Sequence, residues 1–155
     1  MDISKMLTGH QLFKSFLPEQ VDKISRFSSS RTLQKGEIVY MPDRKATHVF
    51  VLLEGEVHLR LSSGTGESGL LVSRVAKGEF FGIAPLLGSD RYTTNAQCAK
   101  PSKALFIEAQ PLIEMLKANP IIGQQVMTLV ARTYFDRYQV LMERIQKVLN
   151  DLAQG

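Results

Sequence analysis

Toward the end of the chain, Met127, Ala131, Tyr134, Tyr138, Leu141, Ile145, Val148 and Leu152 recur at spacings of 4-3-4-3-4-3-4. A strict repeat of that kind is the seam of two paired helices, narrower than the stripe a helix shows when it lies on a globule. Asn119-Pro120 supplies a start, because proline is tolerated at the first helical position, and the pattern then runs to about residue 152. At about 1.5 Å per residue such a helix is a rod of roughly 50 Å. Its far end reaches beyond any globular body this small, so its apolar residues need a partner. A single amphipathic helix folded back on its own domain is the competing reading of the same pattern.

The rest of the chain has to supply the body that carries this rod. With 155 residues, 44% of them hydrophobic and 22% charged, the composition fits one globular domain spanning residues 1–155. No uncharged apolar run approaches the ~18–20 residues that a membrane-spanning helix needs. Met1-Asp2-Ile3-Ser4-Lys5 lacks the apolar stretch of a secretory signal, so the expected location is the cytoplasm. The single cysteine, Cys98, excludes an internal disulfide, a four-thiolate iron–sulfur cluster and a cysteine-based structural zinc site. His10, His48 and His58 are too scattered for a helical metal motif. A net charge of +4 tolerates anionic partners, but the basic residues are spread along the chain and mark no nucleic-acid tract.

Local patterns place a short helix at about 17–27, where Pro18 and Glu19 suit a first turn and Val21, Ile24 and Phe27 follow at helical spacing. Ser28-Ser29-Ser30 then breaks that pattern. From about 32 to 107 the signals are those of strands and turns. Val49 to Leu53 is a continuous apolar run, read as a buried strand. After Gly55, Val57, Leu59 and Leu61 point one way and Glu56, His58 and Arg60 the other. Ser62-Ser63-Gly64-Thr65-Gly66 is read as a hairpin loop returning through Leu70-Leu71-Val72. Helices resume at about 110 and run to about 153.

Helix, glycine-cornered strands and two closing helices form the order in which a set of local motifs occurs. They are Leu12-Phe13 with Leu17-Pro18-Glu19, Gly36-Glu37-Ile38-Val39, Val51-Leu52-Leu53-Glu54-Gly55-Glu56-Val57, Gly78-Glu79-Phe80-Phe81-Gly82, Asn119-Pro120 and Ala131-Arg132. In these motifs the sequence resembles the cyclic-nucleotide-binding domain, specifically the sensor half of Crp/Fnr-type regulators. The resemblance implies an α+β, mainly β fold: a double-stranded β-helix (jelly roll) with a short N-terminal helix and a long C-terminal dimerisation helix. It also implies a regulatory sensor in signal transduction or transcription regulation, not an enzyme.

In that family a short helix after the Phe-Gly step forms a phosphate-binding cassette reading Gly-Glu-Leu-Ala-Leu, then Arg-Thr/Ala-Ala after a few residues. The glutamate holds the ribose hydroxyl, and the arginine and helix-start N–H groups hold the phosphate. Here the stretch reads Gly82-Ile83-Ala84-Pro85-Leu86-Leu87-Gly88-Ser89-Asp90-Arg91-Tyr92-Thr93-Thr94. Gly82 is kept. Ile83 stands at the glutamate position, Pro85 has no N–H to give, and Tyr92 falls on the arginine position with Arg91 one place earlier. Each lost charge-assisted hydrogen bond is worth about 1.5–3 kcal/mol, so ordinary cyclic AMP is not expected to bind.

The alternative is a functional cyclic-nucleotide site in which a local bulge lets Arg91 take over, against Arg91 as a solvated loop residue. Gly82, Ile83, Ala84, Arg91, Tyr92 and Thr93 are the candidate ligand-binding residues in this stretch. The family closes its pocket with the long helix, at a position that falls on Arg137 and Tyr138; Tyr138 is at once a seam residue. Phe80 and Phe81 are expected in the core. The ligand class implied is a cyclic nucleotide or another small anionic molecule, with no metal.

Partners expected are a second copy through the long helix, or another protein if the chain is a structural module for a separate regulator. With no helix-turn-helix after Gly155, direct DNA binding by this chain is not expected. A cupin-like metal enzyme would need clustered histidines, and no His-x-His occurs. A haem protein would need Cys98 or a histidine as axial ligand, whereas Cys98 lies in a strand candidate suited to core packing.

Overall fold

The computed structural model describes residues 2–61 and 69–155. At the front, helix α1 (Ile3–Thr8) is capped by Asp2, whose carboxylate accepts from the Ser4 N–H at 3.0 Å. A 3-10 turn (Gln11–Phe13) leads to helix α2 (Pro18–Arg26), where proline occupies the first turn as expected. The Gln20 side chain reaches back to accept from the Leu17 N–H at 2.8 Å. Neither α1 nor the 3-10 turn is foreseen from sequence. Leu7, Leu12, Phe13, Val21 and Ile24 from these pieces are buried in one core cluster.

Eight strands follow among the described residues: β1 (Ser28–Leu33), β2 (Ile38–Tyr40), β3 (His48–Glu54), β4 (Val57–Leu61), β5 (Leu70–Val75), β6 (Phe80–Phe81), β7 (Asn95–Cys98) and β8 (Ser102–Glu108). They form two four-stranded antiparallel sheets, ordered β1-β8-β3-β6 and β2-β7-β4-β5. This is the expected jelly roll. The serine run at 28–30 does not end the helical segment in a loop; it is the start of β1, an edge strand that pairs with β8 in register Ser28 to Ile107. The hairpin loop read at 62–66 lies outside the described residues.

The unbroken apolar run of β3 has a simple cause. Val49 and Val51 face the helix-side cluster, while Phe50 and Leu52 face the interior between the sheets. β8 repeats the division, with Leu105 and Ile107 on one side and Ala104 and Phe106 on the other. These two central strands are covered on both faces, so neither shows a polar side. β4 shows the alternation expected of a half-exposed strand, with Val57 and Leu59 buried and His58 and Arg60 outside, although Leu61 at its end is exposed.

Helix α3 (Ala109–Ala118) and helix α4 (Pro120–Gln154) close the chain. The 35 residues of α4 make a rod of about 52 Å. Val126 and Val130 are buried against the helix-side core, and past Val130 no residue of α4 is fully buried. The eight expected seam residues divide between two faces. Met127 and Tyr134 pack on the core, and Tyr134 and Leu141 line a cavity in the roll, so these three do not belong to an outer seam. Tyr138, Val148 and Leu152 are exposed, and Ala131 lies outside with them. The outward stripe is Ala131, Phe135, Tyr138, Met142, Ile145, Leu149 and Leu152, again spaced 4-3-4-3-4-3. The apolar repeat persists, with Phe135 and Met142 in place of Tyr134 and Leu141 because the roll claims the neighbouring column; Val148 and Leu149 are both exposed.

Candidate functional site: a tyrosine-walled cavity under the long helix

A cavity of about 190 Å³ lies between the interior of the roll and α4. Leu59 and Val72 contribute from β4 and β5, and the chain after β6 contributes Gly82, Ile83 and Ala84. Gly82 has φ +62°, and a Cβ there would meet the Phe50 ring at 2.5 Å and the Tyr40 ring at 2.9 Å. Glycine is required both by the backbone and by the two rings. Phe80 and Phe81 are both buried in the core, on opposite faces of the sheet.

Of the two cassette candidates, Tyr92 turns inward and Arg91 turns away. The Tyr92 ring stacks on Tyr40 with centroids 3.9 Å apart. Its hydroxyl donates to the His48 carbonyl at 2.7 Å and accepts from the His48 N–H at 3.2 Å. Burial pushes its phenol up, as it does that of Tyr40, where the neighbouring Thr94 hydroxyl acts in the opposite direction. Arg91 is exposed, and its guanidinium donates to the Asp43 carbonyl at 2.7 Å. It pairs with Lys45 in an isolated bridge and does not line the cavity, so Arg91, expected among the ligand-binding residues, lies outside the site. No bulge brings it inward, because the alternate site is filled by Tyr92. Pro85 is the second residue of a 3-10 turn (Ala84–Leu87) and is itself buried, which accounts for it structurally.

The opposite wall is α4. Tyr134, Arg137, Tyr138 and Leu141 all line the cavity, so the expected pair at 137 and 138 does reach it. Arg137 donates to the Phe80 carbonyl at 2.7 Å. Burial works against its charge, but a guanidinium stays protonated at neutral pH. No carboxylate lies within salt-bridge distance of it among the described residues. Among the described residues the cavity therefore carries one desolvated cation, on a wall of four tyrosines and five aliphatic side chains. Thr93 joins it, as expected, and Thr94 is buried beside it. Tyr40, Leu59 and Val72 are site residues that sequence reasoning missed, since an inward-facing strand residue reads the same whether it meets core or cavity.

The other candidate chemistries find no support in the geometry. His48 lies in the sheet of β3, whereas His58 lies in the other sheet with its Nε2 2.6 Å from a Glu56 oxygen. Among the described residues no three histidine, cysteine or acidic side chains come together. Cys98 is buried in the core cluster between the sheets, and desolvation raises its thiol pKa. No described helix is long and apolar enough to cross a membrane.

The sequence profile of the cyclic nucleotide-binding domain matches residues 30–119, from β1 to the end of α3. This chain belongs to that family. As a cyclic nucleotide-binding domain it is 30% identical to a candidate cyclic nucleotide-binding protein of Geobacter metallireducens, with a TM-score of 0.76 over 89% of this chain and 99% of that one. The sensor domain of the transcriptional regulator DNR from Pseudomonas aeruginosa shares the fold at 19% identity and a TM-score of 0.75, covering 90% of this chain and 95% of that one. A candidate potassium channel protein of Rhodopseudomonas palustris is 22% identical over 81% of this chain, which spans 30% of the channel's length. Within this cyclic nucleotide-binding domain, the cassette positions are occupied by Ile83, Pro85 and Tyr92, and among the described residues the cavity's cation comes from α4.

Proposed function

We propose that this domain is a cytoplasmic ligand sensor that works as a dimer through α4, is not an enzyme, and does not take ordinary cyclic AMP. The observation that carries the reading is the double use of one helix. Tyr134, Arg137 and Leu141 line the cavity, while Phe135 and Met142 are exposed on the outward stripe. Tyr138 belongs to both, lining the cavity with 56% of its surface exposed. A ligand that shifts α4 against the roll shifts the stripe with it, provided that it binds one arrangement better than the other.

Two features support the dimer with a second copy. The stripe repeats over three helical heptads, and it continues past the point where α4 has any roll beneath it. Exclusion of cyclic AMP rests on the cradle: Ile83 offers no acceptor to a ribose hydroxyl, Pro85 no N–H, and Tyr92 a ring where a guanidinium is required. Calorimetric titration with cyclic AMP and cyclic GMP, alongside sedimentation equilibrium of the free protein, tests both halves. The expected result is a dimer with no saturable heat up to millimolar nucleotide. Micromolar binding of cyclic AMP overturns the ligand half, and a monomer at hundreds of micromolar overturns the dimer.

A further inference from the structure

The cavity just described has a chemistry of its own, and this inference rests on the sensor reading of that site. We propose that its ligand is a small aromatic monoanion, an aryl carboxylate, with the carboxylate on Arg137 and the ring between the tyrosines.

Charge comes first. Arg137 is the only charged residue among those described that line the cavity, and no described carboxylate neutralises it at salt-bridge distance. Glu79 attracts the guanidinium from beyond salt-bridge distance, outside the cavity lining, so within the cavity one anionic group is what the site can compensate. A guanidinium has five N–H donors in a planar fork, and among the described residues one hydrogen bond, to the Phe80 carbonyl, is made. That bond fixes the plane and leaves donors for a two-oxygen acceptor, the geometry of an arginine–carboxylate pair.

Shape and surface follow. Tyr40 and Tyr92 form a stacked pair on the roll side, with Tyr134 and Tyr138 on the helix side. The Tyr92 hydroxyl is committed to the His48 backbone, so this residue offers the cavity ring surface and no free donor. Aromatic walls favour a flat apolar ring in offset or edge contact. Thr93 supplies a hydroxyl near the opening of β7 for a second polar contact. The volume of about 190 Å³ suits a single ring with a short acid arm. It is below the range of about 300–1,000 Å³ usual for drug-sized ligands.

Phenylacetate titrated into the full chain by calorimetry is the test. Phenylacetamide serves as the neutral isostere, acetate and inorganic phosphate as anions without a ring, and cyclic AMP as the nucleotide. Phenylacetate is expected to saturate below millimolar concentration, with phenylacetamide and acetate each at least about tenfold weaker, and Arg137→Gln is expected to lose about ten- to a hundredfold in affinity. Should Arg137→Gln fail to fold, Arg137→Lys keeps the charge without the fork, and the wild-type preference for acid over amide decides alone. Equal binding of phenylacetamide, equal binding of acetate or phosphate, or no saturation by phenylacetate overturns the proposal. If phenylacetate and cyclic AMP both fail to bind, only the ligand class falls. Micromolar cyclic AMP binding strikes the exclusion of nucleotide in the reading on which it rests.

Discussion

Gly82 shows how much one missing Cβ can carry. Its φ of +62° and the rings of Phe50 and Tyr40 at 2.5 and 2.9 Å mean that Gly82→Ala must strain the backbone and displace a stacked aromatic layer. A loss of about 2–4 kcal/mol is expected, read as a lower urea midpoint with an unchanged slope. Tyr92→Phe leaves the His48 N–H and carbonyl without their partner and is expected to cost about 1–3 kcal/mol, measured the same way. His10 behaves differently, because its role depends on pH. Its Nδ1 accepts from the Leu12 N–H at 3.0 Å and its Nε2 meets the Gly78 carbonyl at 2.5 Å, so the ring is neutral with its proton on Nε2. Burial holds its pKa below the ordinary 6.5, while Lys5, Lys77, Lys103 and Glu54 line the crevice around it. The unfolded chain thus takes up a proton near pH 6.5 before the folded one does. Stability contributed by neutral His10 is full above that pH and falls as the pH drops toward the folded pKa. Urea titrations between pH 7.5 and about 5 should show a shallower acid-side decline in His10→Gln than in the wild type. His48 is also lowered by burial and adds a decline that remains in this variant.

At the scale of elements, α4 is where sequence and structure part company most instructively. Positions 134 and 135, 141 and 142, and 148 and 149 are all apolar pairs, so two heptad registers fit the same sequence and share Ala131, Tyr138, Ile145 and Leu152. Only the roll decides between them, by drawing Tyr134 and Leu141 to the cavity. Phe135→Glu combined with Met142→Glu should therefore split the dimer while leaving the monomer folded. Burial of each such side chain is worth about 1.5–3 kcal/mol, so a rise in the dimer dissociation constant of at least about a hundredfold is expected by sedimentation equilibrium. Val148→Glu, one column away, should do much less. β1 was illegible for a related reason: three serines carry turn propensity, and only pairing with β8 makes them a strand. α1 spans six residues, too short for a periodic signal to emerge. β3 and β4 were legible because burial on two faces or on one leaves a direct mark on residue order.

For the whole molecule, the roll and its helical closure followed from the order of local motifs, and the site followed only in part. Ile83, Pro85 and Tyr92 announced a changed cradle because each lacks the group its position requires. That Arg91 bonds to the Asp43 carbonyl, or that Tyr40 walls the cavity, depends on which way a loop turns, and no spacing encodes it. Linkage supplies a prediction at this scale. If an occupied cavity changes dimer affinity by some factor, the dimer must change ligand affinity by the same factor. Titrating phenylacetate at low and high protein concentration should yield dissociation constants whose ratio matches the ligand's effect on self-association, and a ligand affinity that does not change with protein concentration would uncouple the two faces of α4.

Tyr138 has one edge in the cavity wall and more than half its surface on the outer stripe. If α4 both senses and pairs as proposed, a substitution there is expected to alter chemical taste and choice of mate together. A lineage of such domains cannot diversify one trait at that position while holding the other constant. Duplicated copies that drift at 138 would be expected to become deaf to the old signal and estranged from the old partner in a single step.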